Sequence, residues 1–328
     1  MNTETDNFLE ALNAVAPGRV KTAEPLSSHT HFGLGGPADY FVEAKTADEI
    51  ATLISLAKKH KMSFFLLGGG TNTLVKDDGF RGLVIKMTNR EIVNDISSCI
   101  VTADAGATPT MLARQTADAG LSGLEWMISL PGTIGGAVRG NAGCFDGEVK
   151  DSFVSAEVLD TESEEVSTLS SNDMEFAYRE SAVKHKPWIV LSATFQLQKT
   201  EPEVCRAKLN EILKKRLESQ PKNEKCAGCA FKNFNFKTED DIVKLKTRFP
   251  NIPQAFLNAH RIPAGWIIDR LELKGTTIGG ARVSNIHGNF IVNDGTATAD
   301  HILQLIALLK TRVRNETGVQ LEEEIQII

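Results

Sequence analysis

The run Ser63-Phe64-Phe65-Leu66-Leu67-Gly68-Gly69-Gly70-Thr71-Asn72-Thr73-Leu74-Val75 sets three consecutive glycines directly behind a short apolar segment. Ser63–Leu67 has the length and apolar character of a buried strand. The residues after the glycines decide the fold. Thr73-Leu74-Val75 and then Leu83-Val84-Ile85 are strand-like again, with no helical period between them. In a Rossmann unit the glycine turn opens a helix, and the helix N-terminus receives the pyrophosphate. Here the turn opens another strand. The loop suits phosphate, but not in a Rossmann fold.

A second glycine-rich stretch lies downstream. Leu130-Pro131-Gly132-Thr133-Ile134-Gly135-Gly136-Ala137-Val138-Arg139-Gly140-Asn141-Ala142-Gly143 has five glycines in fourteen residues, in a chain with 26 glycines in 328. Glycine costs conformational entropy and packs nothing, so a cluster implies unusual dihedrals or a ligand lying on the main chain. Successive bare N–H groups make a concave site for phosphate. Read as a loop, this stretch pairs with Gly68–Asn72. Two such loops in one domain suit an extended dinucleotide better than two unrelated turns do.

Outward from these loops the chain reads as mixed α and β. Residues 1–24 read as a variable N-terminal segment. Thr46 is an N-cap with Glu49 in capping-box position, and Ile50, Leu53, Ile54 and Ala57 share one face. Thr108, Pro109 and Gly120 bracket a second helix as N-cap, N1 and C′ residues. Strand-like runs follow at Phe153–Leu159 and Ile189–Leu197. The character changes near Glu201-Pro202. Residues 203–218 form an amphipathic, lysine-rich helix expected to turn Leu209, Ile212, Leu213 and Leu217 inward, and a domain boundary is placed there. Helices are expected at 239–247, 263–272 and 299–315. Thr298 caps the last, and Ile302, Leu305, Ile306, Leu309 and Val313 form its stripe. Strands are expected at 281–284 and 290–293.

Composition narrows the function classes. The net charge is −6 and no basic block occurs, which argues against a nucleic-acid partner. The acidic, polar start Met1-Asn2-Thr3-Glu4-Thr5-Asp6 lacks the basic and apolar regions of a signal peptide. No apolar run approaches the roughly 20 residues that span a bilayer. A cytoplasmic protein without a membrane partner is expected. Five cysteines, an odd number, do not read as a disulfide framework.

Three further segments carry reactive side chains. Cys226-Ala227-Gly228-Cys229 has dithiol spacing, but no second such pair and no spaced histidines complete a zinc site, so no metal is expected. A thioredoxin-type site needs the pair at a helix start, whereas Ala230–Phe236 alternates like a strand. That leaves an inert thiol or a single cysteine donating a proton. Lys232 and Asn233 beside it offer a cation and an amide to an anion. Tyr178-Arg179-Glu180-Ser181 and Glu322-Glu323-Glu324 are the other two segments. A lone arginine is ordinarily a solvated charge and a glutamate run a solvated face, and spacing alone raises neither above that.

Taken in order, these segments resemble the UDP-N-acetylenolpyruvoylglucosamine reductase (MurB) family, from about residue 25 to the end. Pro25–Thr30 through Gly35-Gly36-Pro37-Ala38-Asp39 is similar to its N-terminal flavin-domain signature. Leu67–Asn72 with Gly79-Phe80-Arg81-Gly82 is similar to its first pyrophosphate loop, and Leu130–Gly143 to its second. Ala177–Ser181 resembles its active-site arginine motif, and Ala227–Asn233 its proton-donor motif. Leu273-Lys274-Gly275 with Ile278–Ala281 resembles its substrate domain, and Leu321–Glu324 its closing glutamate motif.

The resemblance implies an α+β fold. A two-part FAD-binding domain of the vanillyl-alcohol-oxidase (PCMH) type would span 25–202, with subdomains at about 25–90 and 91–202. A separate α+β substrate domain would span 203–328. It implies an oxidoreductase with FAD and NADPH as cofactors. The enzyme would reduce the enolpyruvyl ether of a UDP-sugar to a lactyl ether, in the peptidoglycan synthesis on which cell shape and division depend. A monomer is expected. Arg179 and Glu324 become the polarising residues and Cys229 the proton donor. Gly68, Gly69, Gly70, Thr71, Asn72, Pro131, Gly132, Thr133, Gly135, Gly136, Ala137 and Asn141 become the FAD contacts. Lys232, Asn233, Lys274 and His287 become substrate contacts.

The chain departs from the family pattern in three places. Most members carry serine where Cys229 stands, and many carry arginine at Gly33. With only Tyr40 and Tyr178 as tyrosines, the tyrosine loop of one subgroup is absent, as in the shorter subgroup. A thiol ionises in water near a pKa of about 8.5, so it stays protonated at neutral pH and is a far stronger acid than an alcohol. Two other readings stay open here: a related FAD oxidoreductase with another substrate, and a non-catalytic flavin- or nucleotide-sugar-binding protein.

Overall fold

The computed structural model describes residues 3–219 and 224–328. The chain divides into two compact units, and the division does not follow the sequence in simple order. The first unit comprises Met1–Glu24, Ala38–Gly69 and Phe80–Glu218, and the second Pro25–Pro37, Gly70–Gly79 and Ser219–Ile328.

The first unit holds helices α1 (Thr3–Val15), α2 (Ala47–Lys59), α3 (Pro109–Asp118), α4 (Ile134–Arg139) and α5 (Pro202–Ser219). Its two sheets match a two-part α+β domain. One sheet has the strand order Val20–Pro25, Pro37–Ala44, Phe80–Met87, Phe64–Leu67, and the last three run parallel. Phe80–Met87 is central and buries Leu83, Val84 and Ile85 in succession, the unbroken apolar run of a parallel strand covered on both faces. The other sheet is antiparallel, in the order Val166–Ser170, Phe153–Asp160, Trp188–Gln196, Ile100–Asp104, Ile92–Asp95. Ile100–Asp104 buries alternate residues, so one face meets the core.

Several expectations change here. The N-terminal segment contributes Phe8, Leu12 and Ala16 to the first unit's core. Glu49 does not close a capping box. Its carboxylate instead accepts from Lys45 N at 2.7 Å and from the Arg19 guanidinium, while Thr46 caps α2 through Glu49 N. The boundary expected at 202/203 falls after Glu218, because α5 packs Cys205, Leu209 and Ile212 into the first core. Leu217 is 56 % exposed, one turn beyond Leu213, the last α5 leucine packed on that core.

The second unit holds α6 (Val243–Arg248), α7 (Gln254–Asn258), α8 (Ala264–Arg270) and α9 (Ala299–Thr317). Thr298 caps α9, and Ile302, Leu305, Ile306, Leu309 and Val313 are buried as one stripe. An antiparallel sheet of Thr277–Ile278, Ala281–Val283 and Ile291–Asn293 lies in this unit. The borrowed segments belong to it for physical reasons. Phe32, Leu34 and Leu74 join its core. Thr73–Leu74 pairs in parallel with the C-terminal Gln326–Ile327, and Asn293 Nδ2 donates to Phe32 O at 2.8 Å. Asp77 accepts from Ala299 N and Asp300 N at the start of α9.

Candidate active site

In the first unit the two glycine stretches meet. A Cβ on Gly68 would lie 2.6 Å from Thr133 Oγ1, so any larger residue here would have to displace that hydroxyl. The second stretch is not all loop. Thr133 caps the short helix α4, accepting from Gly136 N at 3.4 Å. The amides of Ile134 and Gly135 donate to Ala107 O and Ala105 O, and Ala137 N donates to Thr133 O. The bare donors expected along the whole stretch are therefore fewer. Among the described residues, the N–H groups of Gly69, Gly132 and Thr133 meet no acceptor. Gly70, on the second unit's side of the division, adopts φ 63° with His29 O only 2.0 Å from where a Cβ would stand.

The arginine motif is attached to the second stretch. Ala177 and Glu180 pair across a tight turn that carries Tyr178 and Arg179, the latter at φ 57°. The Arg179 guanidinium donates to Gly143 O at 2.6 Å and lies 5.3 Å from the Tyr178 ring. Asn141 Nδ2 donates to Ala177 O at 2.9 Å, and Ser181 Oγ donates to Arg139 O at 2.7 Å. Lys184 donates to Arg179 O. Burial pulls the Arg139 guanidinium below its usual pKa, against the raising effect of Glu180.

The other predicted residues assemble in the second unit. The segment Cys229–Lys232 runs between two others. Cys229 bridges Phe290, with Ala230 N donating to Asn289 O at 2.7 Å. On the other side Phe231 bridges Glu323, Glu324 N donates to Ala230 O, and Lys232 N donates to Glu322 O, each at 2.9 Å. Cys229 and Glu324 thus sit on hydrogen-bonded neighbouring segments. Asn72 Nδ2 donates to Glu324 O at 2.9 Å, which ties the first glycine loop to the closing glutamate.

The three glutamates separate. Glu323 pairs with Lys310 at 2.7 Å, while Glu322 is 73 % exposed and 3.8 Å from Lys232 Nζ. Asn233 Oδ1 accepts from Ala264 N at the start of α8, and Lys274 pairs with Asp269 at 2.7 Å. His287 accepts from Asn289 N through Nδ1, and its ring packs on Phe290. Burial, then the Lys274 charge, holds its pKa below the ordinary value. At Gly33 a Cβ would lie 3.1 Å from Lys225 Cδ, so a lysine stem lies where a longer side chain would start. All five cysteines are thiols.

Sequence reasoning missed Asn289 and Ser181. Asn289 is buried, and its side chain bonds both Phe231 N and Phe231 O. A single buried polar residue leaves no pattern to read. It missed also that the Asn141 side chain is consumed within the protein, bonding Glu148 Oε2, Ala177 O and Lys150 N.

No helix among the described residues is long and apolar enough to cross a membrane. Two family models match the chain: an FAD-binding domain over residues 38–170, and the C-terminal domain of UDP-N-acetylenolpyruvoylglucosamine reductase over 220–328. A relative bearing that enzyme's name in Lachnoclostridium phytofermentans is 36 % identical over 97 % of this chain and 96 % of its own. Another, in Clostridioides difficile, is 33 % identical over 100 % and 99 %. The solved reductase of Thermus caldophilus superposes with a TM-score of 0.72 at 32 % identity, covering 94 % of this chain and 98 % of that one. The chain belongs to the UDP-N-acetylenolpyruvoylglucosamine reductase family.

Proposed function

We propose that this protein is a cytoplasmic, monomeric flavoenzyme that uses NADPH to reduce UDP-N-acetylglucosamine enolpyruvate to UDP-N-acetylmuramate for peptidoglycan synthesis. The residues present fit FAD. Bare amides at Gly69, Gly132 and Thr133 offer donors for phosphate, in two strands of chain so close that a Cβ on Gly68 would have to displace the Thr133 hydroxyl. When bound, FAD supplies to C3 of the enolpyruvyl group a hydride taken from NADPH.

The protein's own groups then handle charge and proton. Hydride addition at C3 leaves negative charge at C2 that spreads into the substrate carboxylate. The Arg179 guanidinium is a fixed cation for that charge, aimed by its bond to Gly143 O. Cys229 donates the proton to C2 from its thiol. Glu324 assists as the protonated acid or by orienting other groups, since an ionised carboxylate would repel the developing charge. Lys232, Asn233, Lys274 and His287 contact the substrate. His287, neutral because its pKa is lowered, acts there as a donor through Nε2–H.

The observation that carries this reading is the hydrogen bond from Arg179 to the loop that frames the phosphate donors. The test is anaerobic. Purified protein should be yellow, should bleach with NADPH, and should recover its colour on adding the enolpyruvyl UDP-sugar. Bleaching without recovery would leave a flavin reductase of another substrate, and colourless protein that gains no colour from added FAD would remove the reading altogether.

A further inference from the structure

Asn141 has no exposed surface and adopts φ 38°, a left-handed conformation that asparagine tolerates better than most residues. Both amide hydrogens are used, one on Glu148 Oε2 and one on Ala177 O, each at 2.9 Å, and Oδ1 accepts from Lys150 N at 3.1 Å. No donor remains on this side chain for a cofactor. Its reach to Ala177 fixes one end of the turn that carries Arg179. Ser181, 2 % exposed, fixes the other end through Arg139 O. The three anchor points, Arg139 O, the Asn141 side chain and Gly143 O, alternate along five residues of the second glycine stretch.

We propose that Asn141 and Ser181 are positioning residues that clamp the Arg179 turn to the glycine stretch, so that one segment of chain sets both the phosphate donors and the direction of the guanidinium. The proposal rests on the reading of Arg179 as the polarising cation. Arg179 sits at positive φ, a strained conformation that persists where the surroundings over-determine it. Clamps at both ends of a turn supply that determination. A guanidinium is a rigid fork, so a small rotation of its backbone swings every donor together.

The experiment uses Ser181→Ala, Ser181→Thr, Arg179→Gln and the double variant Arg179→Gln/Ser181→Ala as full-length holoprotein. FAD content, melting temperature, bleaching by NADPH and anaerobic recovery with the enolpyruvyl UDP-sugar are measured for each. Positioning predicts that Ser181→Ala keeps its FAD and its bleaching rate while recovery slows about 10- to 100-fold, the cost of displacing a catalytic group. Ser181→Thr, which keeps the hydroxyl, should restore recovery. Ser181→Ala should add nothing further in the Arg179→Gln background. Equal losses of FAD, bleaching and recovery in Ser181→Ala would mark a merely structural role and overturn the proposal. Slow recovery in Arg179→Gln with normal recovery in Ser181→Ala would overturn it while sparing the role of Arg179. Normal recovery in Arg179→Gln would remove that role and the proposal with it. Should Ser181→Ala fold poorly, Asn141→Gln, which keeps the amide but lengthens its reach, is scored by the same measurements.

Discussion

The Arg179 guanidinium donates to the main-chain carbonyl of Gly143 across 2.6 Å, so the candidate polarising cation is anchored on the glycine stretch itself. Arg179→Lys keeps a charge but loses the planar fork that makes this bond while leaving further donors for a carboxylate. Anaerobic flavin recovery with the enolpyruvyl UDP-sugar should slow about 100-fold in Arg179→Lys and more in Arg179→Gln, the range seen when a transition-state donor is removed. Bleaching by NADPH should be unaffected. Equal slowing of both steps would place Arg179 in cofactor binding instead.

Cys229 carries a thiol where a serine would carry an alcohol, and the two differ in acidity enough to make the side chain's role separable. Cys229→Ala should permit bleaching and stall recovery. Cys229→Ser should recover, and its pH profile should differ from that of the native protein. A thiol ionises near a pKa of about 8.5 in water and an alcohol does not titrate there, so only the native enzyme should lose recovery rate on the alkaline side. Identical alkaline limbs in the two proteins would exclude the thiol as the proton donor.

Gly68 and Gly70 exclude a side chain for different reasons. Gly68→Ala meets the hydroxyl of Thr133, which can turn aside at the loss of the α4 cap, a cost of about 1 kcal/mol. Gly70→Ala meets the backbone carbonyl of His29 at 2.0 Å, in a residue already at φ 63°. It should cost about 3 kcal/mol or prevent folding. Melting temperatures of the two variants check the order. A Gly70→Ala protein as stable as Gly68→Ala would contradict the geometry.

What was legible followed local rules. Thr298 with its apolar stripe, and Thr108 with Pro109, gave α9 and α3 almost to the residue, because caps and period are written within a few positions. The strand after Gly70 was legible for the same reason. What was not legible depends on long-range partners. Pro25–Pro37 and Gly70–Gly79 join the second unit because Phe32, Leu34 and Leu74 bury there, more than a hundred residues from most of that core. Asn141, within a glycine loop, reads as a ligand contact, and only its bonds to Glu148, Lys150 and Ala177 reveal otherwise. The helix inside Leu130–Gly143 is six residues long with three glycines at or beside it, too short and too weak in propensity for a periodic signal.

The terminal glutamates should behave differently although they are adjacent. Glu323→Gln breaks a half-exposed pair with Lys310 and should cost about 1 kcal/mol or less, with little change in turnover. Glu322→Gln, exposed and 3.8 Å from Lys232 Nζ, should be close to silent in stability. Glu324→Gln should retain FAD and lose recovery with the UDP-sugar. Steady-state assays and thermal melts on the three variants separate these outcomes. A greater loss of turnover in Glu323→Gln than in Glu324→Gln would move the catalytic assignment by one residue.

Stability should also respond to acid through His287. Its folded pKa lies below the usual 6.5, first because of burial and then because of Lys274, and burial moves His31 in the same direction. The unfolded chain therefore takes up these protons before the folded protein does. The stabilising contribution is complete above the unfolded pKa and declines as pH falls through 6.5 toward the folded value, below which it is gone. His287→Asn places an acceptor oxygen near the position of Nδ1, where it can still receive Asn289 N, but it does not titrate. Denaturant midpoints measured from about pH 7 to pH 5 should fall less in His287→Asn than in the native protein, with His31 accounting for part of the decline that remains. Parallel declines in the two proteins would show that His287 binds its proton equally in the folded and unfolded states.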